Sequence, residues 1–130
     1  MPKSFLSSLS SMPASATFEQ KLSAIFADPR VHHRRILPTC ITSRICELLR
    51  EEFHVMPCLD KTNPLSLREM VCLLLLASGK SSRHCADLMH VSYDSILSYG
   101  RRIHQKLRAN NKLQAFFKAL KKGYLTTTLP

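Results

Sequence analysis

The stretch that decides the fold is residues 81–107, SSRHCADLMHVSYDSILSYGRRIHQKL. Ser81 or Ser82 can cap a short helix that runs to Met89, with Cys85, Ala86, Leu88 and Met89 facing inward. Three residues on, Ser92 can cap a longer helix that reaches about Arg108. At about 100° per residue, Ile96, Gly100, Ile103 and Leu107 share one narrow arc, which is the buried side. A glycine inside a helix costs about 1 kcal/mol against alanine, so Gly100 on that arc implies close approach of a neighbouring helix. The opposite side carries Asp94, Ser98, Arg101 and Gln105, flanked by Leu97 and Arg108 on one edge and Arg102 on the other. A short helix, a tight turn and a second helix with a polar, basic outer face make a helix-turn-helix.

Reading outward, Ser66-Leu67-Arg68-Glu69 has capping-box spacing and opens an apolar run through Leu76 that stops at Gly79. On the other side, a helix from about Asn111 to Lys122 places Leu113, Phe116, Phe117 and Leu120 at i, i+3, i+4 and i+7. Toward the N-terminus, Thr17-Phe18-Glu19-Gln20 is a second capping box, followed by Phe18, Leu22, Ile25 and Phe26 at helical spacing and a stop at Asp28-Pro29. Val31–Pro38 is basic and irregular. Thr39 opens a helix with an apolar stripe of Ile41, Ile45, Leu48 and Leu49, which frays near Phe53. Val55–Pro64 reads as a loop, punctuated by Pro57 and Pro64. No repeat and no strand is evident. The expected fold is all-α: a disordered Ser/Pro tail over 1–16, a helical accessory segment over 17–64, a four-helix domain over 65–125 and a C-terminal tail over 126–130.

The chain has 130 residues, 45% of them apolar, and a formal charge of +10. That suits one small domain with an extension, and it is too apolar for wholesale disorder. The apolar run Val71–Ala77 is far short of the ~20 residues that span a bilayer, so no membrane partner is expected. Residues 1–64 hold 8 Lys/Arg and 6 Asp/Glu, a net of +2; residues 65–130 hold 11 and 3, a net of +8. After Asp94 no acidic side chain follows. Positive charge gathered in one half of a chain favours a polyanionic partner.

Five cysteines (Cys40, Cys46, Cys58, Cys72 and Cys85) are an odd set without a disulfide framework, which fits a reducing, cytoplasmic setting. Cys40, Cys46, His54 and Cys58 are all zinc-ligand types. Their spacings of six, eight and four residues lack the tight Cys-x2-Cys knuckle, and no metal site is assigned. His32-His33 reads as surface. No Cys/His pair stands beside an orienting group or a glycine-rich loop, so neither an enzyme nor a cofactor is expected.

In a helix-turn-helix the second helix enters the major groove of double-stranded DNA and its first turns meet base edges. Asp94, Leu97, Ser98, Arg101 and Gln105 are the candidate base contacts. Arg101 can offer a two-pronged donor set to guanine, and Leu97 can pack on a thymine methyl. Lys80, Ser81, Arg83, Ser92, Ser95, Arg102 and Lys106 are the candidate phosphate contacts, helped by the amides at the helix start.

Residues 65–125 resemble the C-terminal DNA-binding domain of LuxR-type transcriptional regulators. The matching residues are Leu65-Ser66-x-Arg68-Glu69, Gly79-Lys80-Ser81-Ser82, Ala86, Val91-Ser92, Ile96, Arg102-Ile103, Lys106-Leu107, Asn111, Gln114-Ala115, Lys118-Ala119 and Gly123. The resemblance implies a small bacterial regulator that binds double-stranded DNA. It also implies homodimerisation through the last helix, by way of Leu113, Phe116, Phe117 and Leu120, with RNA polymerase or another regulator as a further partner. Three departures stand on the recognition helix: Leu97 replaces a common basic residue, Tyr99 a common histidine, and Gly100 interrupts the helix. They suit altered base preference. The 64 preceding residues are too few for the receiver or sensor that such regulators usually carry, so a stand-alone regulator is expected. The competing reading is an interaction adaptor that has lost specific DNA binding, with Leu97, Tyr99 and Phe117 as its contact surface.

Overall fold

A computed structural model describes residues 15–32 and 37–128; the tail expected over 1–16 therefore falls outside it up to residue 14, as do residues 33–36, the middle half of the Val31–Pro38 stretch, with His33. Among the described residues, seven helices and two three-residue strands follow in order: α1 (Phe18–Ala27), α2 (Pro29–His32), α3 (Thr39–Phe53), β1 (Val55–Pro57), α4 (Leu67–Ala77), α5 (Ser82–Met89), α6 (Tyr93–Leu107), α7 (Lys112–Lys121) and β2 (Leu125–Thr127). The all-α class holds, with a minor two-stranded addition.

The helix starts are those that local chemistry dictates. Thr17 and Gln20 close a reciprocal capping box on α1, with bonds of 3.1 and 2.9 Å. Ser66 and Glu69 do the same on α4. Ser81, Ser92 and Asn111 each accept the amide three residues ahead, at the starts of α5, α6 and α7. Each such bond satisfies one of the four amides a helix leaves unpaired at its start.

The ends are less uniform. Gly79, at φ +103°, turns the chain after α4, with Lys80 N–H bonding the Leu75 carbonyl and Gly79 N–H the Leu76 carbonyl. Gly123 closes α7 by the same double-bond pattern. After α3, α5 and α6 the left-handed position falls to His54, His90 and Arg108. A side chain there costs roughly 1–2 kcal/mol, so these three stops are imposed by packing on either side.

Two expectations change. Pro29–His32 forms a short helical turn where the sequence suggests only a stop. Val55–Pro57, read as the start of a loop, and Leu125–Thr127, read as running into the tail, pair antiparallel with Val55 opposite Thr127 and Pro57 opposite Leu125. Bonds from Cys58 N–H to the Tyr124 carbonyl and from Thr128 N–H to the His54 carbonyl, both 2.8 Å, extend the ladder. Strands this short give no readable alternation. Their pairing depends on α7 delivering the chain end beside the exit of α3.

The core is continuous from end to end. Leu22, Ile25 and Phe26 of α1 pack with Ile41, Ile45, Leu48 and Leu49 of α3, and the same cluster takes in α4, α5, α6 and Leu125. α1 lies against α5, the first helix of the helix-turn-helix, and α3 against α4 and β1. Phe18 meets Phe53 edge-on with ring centres 5.3 Å apart. α4 is almost wholly buried from Glu69 to Leu75. It forms the central post against which α5, α6 and α7 stand.

Candidate nucleic-acid interface

α6 is amphipathic in the sense its sequence requires: Ile96, Ile103 and Leu107 are buried, and Asp94, Leu97, Arg101, Arg102 and Gln105 are exposed. Ser98 is half-buried, and its hydroxyl accepts from the Arg101 guanidinium at 3.0 Å. That bond uses one of the five donors of the guanidinium and sets its direction, leaving the others for a ligand. Leu97 is 37% exposed beside it. The five candidate base contacts thus lie on the outer side of one helix, with Arg101 pre-oriented.

The candidate phosphate contacts divide by their present partners. Ser81 and Ser92 spend their hydroxyl oxygens as caps, and the Ser92 and Ser95 hydroxyls lie 2.9 Å apart. Arg83 is exposed over the Tyr93 ring at 4.9 Å, and Arg102 over Tyr99 at 5.6 Å. Both guanidiniums are steadied by a ring face while their edges stay available. Lys80 is held by the Glu19 carboxylate of α1 at 3.2 Å. Lys106 donates to Glu69 at 2.7 Å, and that carboxylate is only 2% exposed. The Lys106 ammonium is therefore a structural charge, since withdrawing it would strand a buried carboxylate.

Glu19 carries much of the electrostatics at the α1–α5 seam. It also accepts from His84 Nε2 at 2.9 Å. Partial desolvation raises its pKa, but the hydrogen bonds and charges of Lys80 and His84 outweigh that and hold the carboxyl below its ordinary value of 4.5. A third link across the seam runs between Ser23 and His90, at 2.8 Å.

α7 presents a second surface. Ala115 and Ala119 are its fully buried positions, and these small residues let α7 lie close to the core. Phe116 and Leu120 pack at the margin of the core, whereas Leu113 and Phe117 are 55% and 67% exposed. The four apolar residues expected at a dimer contact therefore split into two that close the fold and two that face outward.

One expectation is overturned. Gly100 admits no close neighbour: a Cβ added there would meet nothing within 4 Å. The glycine instead opens onto a cavity of about 510 Å³ between α4, α6 and the start of α7. The helical wheel gave its direction correctly, but no wheel reports how far away the facing helix lies.

Sequence reading did not find Glu69 as the partner of Lys106, nor Glu19 as the partner of Lys80. The first pair is 37 residues apart and the second 61, and no local pattern couples them. The metal-ligand types do not gather: among the described residues no three His, Cys, Asp or Glu side chains converge. Burial pushes the Cys72 thiol up to about 12, with smaller contributions from Cys85 and Glu69, and the Cys85 thiol up to about 11. Both act as small apolar fillers. No helix among the described residues is long and apolar enough to cross a membrane.

A capped short helix, a tight turn and an exposed cationic second helix, all braced on one central helix, define the helix-turn-helix class of DNA-binding domain. Residues 63–119 match the family described as bacterial regulatory proteins, luxR family, and this segment is a LuxR-type DNA-binding domain of a transcriptional regulator. No curated protein and no solved structure matches the chain.

Proposed function

We propose that the protein is a cytoplasmic bacterial regulator that binds double-stranded DNA as a homodimer. The observation that carries this reading is the outer face of α6, where Leu97, Arg101 and Gln105 lie exposed and Ser98 orients the Arg101 guanidinium. Leu97 and Arg101 stand one turn apart, a spacing suited to neighbouring base pairs, with Arg101 on guanine and Leu97 on a thymine methyl. Arg83 and Arg102 serve as phosphate contacts on either side. Lys106 takes no such role in this reading, because Glu69 claims it. Leu113 and Phe117 supply the dimer contact, with Phe116 and Leu120 behind them, and the two α6 helices then read half-sites about one turn of DNA apart. RNA polymerase or a second regulator is the partner on which bound protein would act.

Selection from a random DNA pool tests the reading and returns the site. The expected product is a sequence with two related halves, bound with an affinity that falls steeply with salt. Arg101→Ala should cost about 1–3 kcal/mol at one position of each half and relax the preference there. Phe117→Glu should shift the protein toward monomer in sedimentation and weaken binding to the two-half site more than to a single half. Failure to enrich any sequence at low salt, with a protein partner captured through Leu97 and Tyr99, would favour the adaptor reading.

A further inference from the structure

The cavity beside Gly100 joins an apolar floor to a basic rim, the make-up of a small-ligand site. Its 510 Å³ falls within the range of pockets that hold small organic molecules. Leu73 and Leu76 of α4 and Ile96 and Ile103 of α6 give it an apolar floor. Lys80, Arg101, His104 and Lys112 stand around it, and no acidic residue lines it. Lys80 is already paired with Glu19, but among the described residues neither Arg101 nor Lys112 forms an ion pair. A Cβ at residue 100 would meet nothing within 4 Å, so the glycine leaves this space clear in a helix that would be more stable with a side chain there.

The geometry points to a binding site for an aromatic carboxylate, with the ring against the apolar floor and the bare backbone of Gly100, and the carboxylate toward Lys112 and Arg101. A rigid ring buries apolar area with little conformational entropy to lose, and a guanidinium can stack on its face. A carboxylate head answers the basic rim, where an uncharged head would leave it unmatched. Because Leu97 and Arg101 both line the cavity and belong to the proposed base-reading face, occupancy would draw Arg101 from DNA. That coupling rests on the function proposed above; the binding itself does not.

Naphthoate and its uncharged carboxamide are suitable probes, followed by amide NMR on the intact protein. Naphthoate should give saturable shifts centred on Leu97, Gly100 and His104, and the carboxamide should bind about tenfold more weakly, the loss expected for one charge-assisted bond. Gly100→Leu fills the space and should abolish the shifts. Lys112→Gln, a surface change, should weaken naphthoate and leave the carboxamide unaffected. Naphthoate should also release DNA from the native protein and not from Gly100→Leu. Absence of saturable shifts, or equal naphthoate affinity in native protein and in Lys112→Gln, would overturn the site. Saturable shifts that depend on Gly100, in a protein that binds no DNA, would uphold the site and overturn the regulator.

Discussion

Gly100 shows how far a single residue can be read from sequence. Its place on the inner arc of α6 is fixed by the helical repeat, and its cost to the helix is fixed by backbone entropy. What lies opposite is not fixed by either, and it proves to be open space. Gly100→Ala should therefore raise stability by about 1 kcal/mol in urea unfolding, because the added methyl gains helix propensity and strikes nothing. A clash-driven loss of stability would show the cavity to be narrower than described. The Ser92 cap and the buried Ile96 follow from local rules alone. Lys106 does not, because its charge reads as solvated until Glu69 is placed beside it.

At the scale of elements, the α1–α5 seam is the feature with a consequence for binding. Glu19 neutralises Lys80, a candidate phosphate contact, from outside the helix-turn-helix. Glu19→Gln should tighten DNA binding by roughly two- to fivefold, the worth of a partly exposed ion pair, and should steepen the salt dependence. The same carboxyl gives the seam a pH dependence whose sign is set by its lowered pKa. Its stabilising share is intact above the ordinary value of 4.5 and is lost as pH falls through the lower folded value. Acid titration curves of native protein and Glu19→Gln should therefore coincide below the folded value and diverge as pH rises through it toward 4.5, with the native protein the more stable. The capping boxes of α1 and α4 were legible as four-residue patterns; β1 and β2 were not, since three residues cannot display a period.

Across the whole molecule, the N-terminal helices and the DNA-binding domain share one apolar cluster, closed off by the β1–β2 pairing. Leu22, Ile25 and Phe26 are each at most 2% exposed, and α1 sets them against α5. A fragment of residues 65–125 should accordingly be less stable than the full chain by at least about 3 kcal/mol, since burying one such side chain is worth about 1.5–3 kcal/mol. Chemical denaturation of the two proteins measures the difference directly. Equal midpoints and equal slopes would mean that the N-terminal helices contribute nothing to the domain they cover.

The sequence by itself determined the six longer helices, the side-chain caps that open α1, α4, α5, α6 and α7, the turn between α5 and α6, and which side of α6 meets water. All of these follow from residues within one or two turns of each other, where periodicity and side-chain-to-backbone bonds act. The tertiary structure alone decided that Glu69 pairs with Lys106, that Glu19 restrains Lys80, that Leu113 and Phe117 face outward while Phe116 and Leu120 close the core, and that Gly100 borders a cavity. Each depends on the distance between segments far apart in the chain, and that distance is set by how the whole core packs.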